Sequence, residues 1–226
     1  MVREIIFREG VQKLDSNIPR RNAGFMRMLS REELLLKIES MPLRDGLDMR
    51  NKALICFIYL TGLRISEVVG LKVKNIPPII KKQVSTYIQD NMHYLLVSDV
   101  FILKRRKGIL KRNLPILVEG EDIFLEPIIN YINNIGDDLP IFLSERGESI
   151  TRRHAMRIIE KHTGLFPHYL RHLRATHLVV EFDLSDKHLT EIMGWKDNRM
   201  ASRYTHLKFE DVARALNLGY KKRKLL

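Results

Sequence analysis

Apolar residues along this chain recur mostly at helical spacing, and the departures from that spacing mark where other elements lie. Ser30 followed by Glu33 has the form of a capping box, and Leu34, Leu35 and Ile38 come next at one-turn intervals, which predicts a helix to about Met41. Pro42 to Gly46 breaks it. From Leu47 to Leu60 the apolar positions Leu54, Ile55, Ile58 and Tyr59 form a stripe broad enough for a buried helix. Thr61-Gly62-Leu63 turns the chain into a short helix, RISEVVGL, which Gly70 weakens. Downstream the same reasoning predicts helices over Glu121 to Asn134, Ile150 to His162, His168 to about Phe182, Asp186 to Met193 with Ser185 as its cap, and Arg199 to Leu216 with a break near His206.

The middle of the chain reads differently. Pro77-Pro78 ends any helix, and the stretch from there to Met92 gives no clear pattern. HYLLVSD, VFILKRR and ILKRNLPI are rich in branched apolar residues, with Ser98-Asp99 and Lys107-Gly108 as turn signals, so a small antiparallel meander is expected. The fold class is therefore α+β, mainly helical, with a small antiparallel three-stranded sheet. Residues 1–29 read as a basic arm or linker with at most a short strand at Ile5 to Phe7, residues 30–218 as the folded domain, and residues 219–226 as a basic tail.

Composition narrows the class of partner. The 226 residues carry a net charge of +12 with a pI near 9.9, and the excess is clustered at Lys104 to Lys107 and Lys221 to Lys224. Clustered cations attract polyanions by neutralising phosphates and releasing counterions, which puts nucleic acid ahead of an anionic membrane surface. No apolar run reaches the roughly 18 residues of a membrane span, and the first ten residues are too charged for a secretory leader, so a soluble, cytoplasmic protein is expected. The single Cys56 excludes an intramolecular disulfide and a multi-cysteine metal site; its setting, LICFIYL, fits a buried thiol.

Several residues lie where chemistry is possible. Arg64 and Glu67, three apart, share one helix face. They form either a surface ion pair of little worth or a guanidinium held by a carboxylate and aimed at a phosphate. The second expected hairpin turn carries Arg105, Arg106, Lys107, Lys111 and Arg112: a charged edge that blocks aggregation, or a finger reaching a phosphate backbone. Pro167 suits a first helical turn, which places His168 and Arg171 on one face at a helix N-terminus, where an anion is already favoured. Trp195 follows the Gly194 stop, and Tyr204 comes nine residues later; singly, each is more often a packing residue.

Their order along the chain is what matters. An Arg in T-G-L-R-x-S-E, a hairpin Lys, H-x-x-R, G-W, and a Tyr nine residues on in Y-T-H together resemble the tyrosine recombinase/integrase family, the phage-integrase-like site-specific recombinases, over about residues 30–215. The resemblance implies that residues 30–218 form a catalytic domain that cleaves and rejoins DNA strands through a 3′-phosphotyrosyl intermediate. It implies Tyr204 as nucleophile, Arg64 and Arg171 as clamps on the scissile phosphate, His168 as proton acceptor, Trp195 as a hydrogen-bond donor and Glu67 as a brace. The hairpin pattern K-G-x-x-x-x-x-x-P selects Lys107 as the acid for the leaving oxygen, with Lys104 as the runner-up. Lys104, Arg105, Arg106, Lys111 and Arg112 are then expected to contact DNA. No cofactor and no metal are expected; the partners implied are double-stranded DNA and three further copies, a homotetramer on DNA and a monomer free, with no membrane. Related single-strand chemistry of the type IB topoisomerase kind, and a non-catalytic basic DNA-binding protein, are the alternatives.

Overall fold

The computed structural model describes residues 29–76, 87–89, 92–102 and 111–204. Its helices are α1 (Arg31–Glu39), α2 (Gly46–Thr61), α3 (Ile65–Val68), α4 (Asp122–Ile132), α5 (Arg152–Thr163), α6 (Pro167–Val180) and α7 (Asp186–Met193). Two single 3-10 turns, Val73–Asn75 and Ala201–Arg203, complete the helical part among the described residues. Among the described residues one sheet of three antiparallel strands is present, in the order β1 (Tyr87–Gln89), β2 (Met92–Phe101), β3 (Lys111–Leu117).

Local chemistry sets most of the helix ends. The capping box at α1 is present: the Ser30 hydroxyl accepts from the Glu33 amide at 3.2 Å, and the Glu33 carboxylate accepts from the Ser30 amide at 2.8 Å. Asp45, Thr151 and Ser185 cap α2, α5 and α7 in the same way. Gly62 and Gly194 end α2 and α7 in the left-handed conformation, with φ of 58° and 59°. Both are also close to other groups: an added Cβ would lie 2.9 Å from Met193 Sδ at Gly62, and 2.6 Å from Arg112 Cζ at Gly194.

Helix α2 is the axis of the core. From Ala53 to Thr61 every side chain is buried, including Cys56, whose thiol burial pushes up to about 12. A helix apolar on all sides must be covered on all sides, and α4, α5, α6 and β3 pack against it. A second, smaller core lies between α6 and α7, where Ala175, Leu178, Leu189, Met193, Trp195 and Ala201 pack with Val179, Phe182 and Tyr204 at their margin.

The sheet departs from the expected meander in two respects. Ser98-Asp99 is not a turn. Strand β2 runs through it with an irregularity in register between Val97 and Val100, where Asp99 takes φ of 56° and its amide donates to Asn113 Oδ1 at 3.2 Å. The extra residue shifts the alternation, so that Leu95, Val97 and Val100 all face the core despite their uneven spacing. The remaining strand comes instead from Tyr87–Gln89, in the stretch without a clear pattern. Pro115 is tolerated because β3 is an edge strand. Of the expected helix over Arg199 to Leu216, the turn Ala201–Arg203 is described, and the remainder beyond Tyr204 lies outside the described residues. The expected strand at Ile5 to Phe7, the basic arm and the tail lie outside them too.

Candidate active site

Four elements bring the predicted side chains together: α3, β3, α6 and the end of α7. Arg64 is the N-cap of α3, with extended backbone, so its guanidinium turns back over the helix start. Glu67, one turn on, accepts twice from it: the Arg64 amide donates to Oε2 at 2.9 Å and Nη1 donates to Oε1 at 2.9 Å. The Glu67 side chain has no solvent exposure, so this is not the surface ion pair that the spacing also allows.

Arg171 sits one turn into α6. Its Nη1 donates to the carbonyl of Gly62 and its Nη2 to that of Met193, so one guanidinium ties the C-terminal ends of α2 and α7. The last carbonyls of a helix carry its negative dipole end, which suits a cation. Burial, and the nearby Arg64 charge, push the Arg171 guanidinium down to about 9, so it remains charged at neutral pH.

The turn signals predict Arg112 on an exposed hairpin tip beside Lys111. The structure corrects this: Arg112 is 7% exposed and lies in β3, pointing into the molecule. Its Nη1 donates to the carbonyls of Glu191, at 3.1 Å, and Ile192, while Nη2 lies 3.6 Å from Glu67 Oε2. Burial pushes it down to about 10. Alternation identifies its face, because Arg112, Leu114 and Ile116 are two apart in one strand and all buried. Lys111, on the other face, is exposed and pairs with Asp99 at 3.2 Å. Lys104, Arg105, Arg106 and Lys107 lie outside the described residues.

Three guanidiniums thus surround one buried carboxylate, which leaves the cluster with a positive excess. Next to it stand the aromatic groups. The Arg171 guanidinium lies 5.9 Å from the centre of the Trp195 ring, and the indole stacks on the Tyr204 ring at 5.4 Å with 14° between planes. On Tyr204 also lies a residue that the sequence pattern does not single out: His172 stacks with it at 5.9 Å, and His172 Nδ1 is hydrogen-bonded to the Tyr204 hydroxyl. A signal exists, since His172 is next to Arg171 on the same helix, but the H-x-x-R spacing points to His168. His168 is exposed in the first turn of α6. The site therefore holds Arg64, Glu67, Arg112, Arg171, His172, Trp195 and Tyr204 in one connected set.

Three residues along α6, Arg174 reaches a second buried cluster. Glu121, fully buried, accepts from Arg174 Nη1 and Arg31 Nη2, each at 2.6 Å. His177 bridges the Tyr59 hydroxyl at 2.7 Å and the Leu29 carbonyl at 3.2 Å, while the Leu29 amide donates to the Tyr169 hydroxyl at 3.1 Å. Among the described residues no group of three or more His, Cys, Asp or Glu is placed to hold a metal ion, and no helix is long and apolar enough to cross a membrane.

Comparison with known proteins gives a consistent picture. The model of the phage integrase family matches residues 29–211. The tyrosine recombinase XerC of Thermodesulfovibrio yellowstonii is 26% identical over 191 residues, which cover 78% of this chain and 56% of that protein. XerC of Escherichia coli O127:H6 is 26% identical over 196 residues, covering 83% and 59%. The chain thus spans a little over half the length of these curated relatives. Among solved structures, the Tn1549 transposon integrase in complex with transposon right end DNA superposes with a TM-score of 0.58 at 19% identity, covering 89% of this chain and 68% of that one, a likeness of fold.

Proposed function

We propose that this chain, which belongs to the phage integrase family, is a site-specific recombinase that cleaves and rejoins DNA strands through a 3′-phosphotyrosyl link to Tyr204. The observation that carries the reading is that Trp195 touches both the Arg171 guanidinium and the Tyr204 ring, so a phosphate-binding fork and a phenol lie within one site. Arg64 and Arg171 clamp the nonbridging oxygens of the scissile phosphate, and their charge matches the charge that builds there in the pentavalent transition state. Glu67 fixes Arg64. His168, in the first turn of α6, and the indole N–H of Trp195 complete the donors around the phosphate.

A phenol ionises near ~10 in water, so Tyr204 needs both the local positive charge and a proton acceptor to attack phosphorus at neutral pH. Lys107 then gives a proton to the departing 5′ oxygen, with Lys104 as the substitute if the hairpin register differs. The phosphotyrosyl bond retains the energy of the broken phosphodiester, so rejoining calls for no nucleotide. Residues 30–218 are the catalytic domain, with residues 1–29 as an arm and 219–226 as a basic tail. Lys104, Arg105, Arg106 and Lys111 contact the backbone of duplex DNA in the cytoplasm, and four copies assemble on two duplexes from a monomer free in solution.

A nicked suicide duplex, from which the short cleaved strand diffuses away, tests this. Wild-type protein is expected to accumulate a covalent protein–DNA adduct, and Tyr204→Phe to bind the duplex but form none. A folded wild-type protein that yields no adduct on any duplex, or an adduct that survives Tyr204→Phe, overturns the reading.

A further inference from the structure

We infer that Arg112 is a positioning residue for strand cleavage: from β3 it ties the Glu67 brace to the last turn of α7, and thereby sets where Trp195 and Tyr204 stand. This rests on the strand-cleavage reading above. One end of the guanidinium faces the carboxylate that fixes Arg64, with Nη2 3.6 Å from Glu67 Oε2. At the other end Nη1 donates to the Glu191 carbonyl at 3.1 Å, in the last turn of α7. Between the two it fills the space beside Gly194, where an added Cβ would lie 2.6 Å from Cζ and 2.7 Å from Nη1. Gly194 is the left-handed turn that ends α7, and the next residue, Trp195, is buried and stacks on the Tyr204 ring at 5.4 Å. The guanidinium therefore lies directly under the turn that leads to the indole and the phenol.

Stability does not explain an arginine at this place. Its Nε and Nη2 are buried and make no hydrogen bond among the described residues. A cation taken out of water with donors unmet costs more than an apolar side chain of the same length. Glu67 would stay paired without it, because Arg64 already donates to both carboxylate oxygens at 2.9 Å. What an apolar side chain cannot do is hold a carboxylate and a helix-end carbonyl at a fixed separation, whereas a planar fork can. Leu114 and Ile116 anchor the same face of β3 in the core, so the fork stands on a packed base. Pointing into the molecule, Arg112 acts on the scissile phosphate through Glu67 and Trp195 and not by touching it.

The test compares Arg112→Met and Arg112→Lys with the wild-type full chain. Trp195 is the one tryptophan of the sequence, so its emission reports the turn directly and without DNA. Arg112→Met is expected to keep a urea midpoint at or above that of the wild type, with emission shifted to the red and stronger quenching by acrylamide as the indole loses its covered place. Single-turnover adduct formation on saturating nicked duplex is expected to fall about 100-fold in Arg112→Met and about tenfold in Arg112→Lys, which keeps the charge but not the fork. Duplex affinity is expected to stay within about threefold.

A duplex with a neutral methylphosphonate at the scissile position separates positioning from direct contact. If Arg112 balanced the charge of a nonbridging oxygen, removing that charge would restore the rate of Arg112→Met; no recovery is expected. Should Arg112→Met not fold, Arg112→Lys carries the same readouts. A wild-type rate or wild-type emission in these variants, recovery on the methylphosphonate duplex, or loss of folding in both overturns the assignment. If the wild-type protein itself forms no adduct, the strand-cleavage reading fails, and the emission of Trp195 alone still decides whether Arg112 holds the turn.

Discussion

Two buried clusters on α6 are built from the same parts, arginines around one glutamate, and they differ in how completely they are closed. Around Glu121 each carboxylate oxygen takes one guanidinium at 2.6 Å, Arg31 on one side and Arg174 on the other, and the remaining faces of Arg174 lie against the Tyr59 and Phe182 rings at 5.4 and 5.7 Å. Around Glu67 three guanidiniums share the carboxylate unequally. Arg64 binds it closely, Arg112 stands at 3.6 Å, and Arg171 is held by the backbone carbonyls of Gly62 and Met193. Carbonyl dipoles can orient a guanidinium without cancelling its charge. The first cluster therefore engages both carboxylate oxygens at close range and serves the fold, although Arg31 Nε and Arg174 Nε stay buried without a hydrogen bond, whereas the second carries one more arginine for the same single carboxylate and so the larger positive excess.

Mutations should separate the two. Glu121→Ala leaves the buried Arg174 guanidinium facing the partly exposed one of Arg31, and is expected to cost about 3–5 kcal/mol of stability, read as a lowered midpoint in urea. Arg171→Lys keeps the charge but loses the fork that joins two helix ends. It is expected to slow adduct formation about 100- to 1000-fold, with a thermal midpoint close to that of the wild type. If Arg171→Lys instead unfolds the protein while Glu121→Ala leaves stability intact, the division of labour is reversed.

The closed cluster also has a signature in pH. Burial, with the Arg174 and Arg31 charges adding to it, holds His177 down to about 4, against an ordinary value near 6.5. A histidine kept neutral in the folded state lends its stability in full above about pH 6.5, and loses it as the unfolded chain gains a proton on the way down to about pH 4. The window is worth on the order of 3 kcal/mol. Denaturation curves across it should slope for the wild type and flatten for His177→Gln. The smallest effect is expected at Gly194→Ala. A left-handed alanine there costs about 1–2 kcal/mol, and its Cβ, 2.6 Å from Arg112 Cζ, should displace that side chain and slow cleavage more than it lowers stability.

How much of the molecule is legible in the sequence depends on the range of the interactions involved. Helix ends are local: Ser30 with Glu33, Ser185, Pro167, Gly62 and Gly194 each mark a boundary within a few residues, and each marks it in the structure. The sheet is harder because one residue type serves two geometries. Asp99 can close a turn or take the left-handed position of a bulge, and only the pairing with Asn113 and Lys111 across the sheet decides for the bulge. Arg112 reads as surface because it is charged, although the two-residue alternation with Leu114 and Ile116 puts it inside. The Arg31, Glu121 and Arg174 cluster joins residues up to 143 positions apart, and nothing local announces it. In the site, the family pattern draws together Arg64, Glu67, Arg171, Trp195 and Tyr204 without showing which histidine meets the phenol, because that depends on where the chain returns after α7.

The last turn of α7 has a further consequence. Carbonyls of three successive residues, Glu191, Ile192 and Met193, hold Arg112 and Arg171; Gly194 then turns the chain, and Trp195 meets Tyr204. Guanidinium and phenol are thus gauged from one fixed mark, as two parts machined from a single reference edge share their spacing.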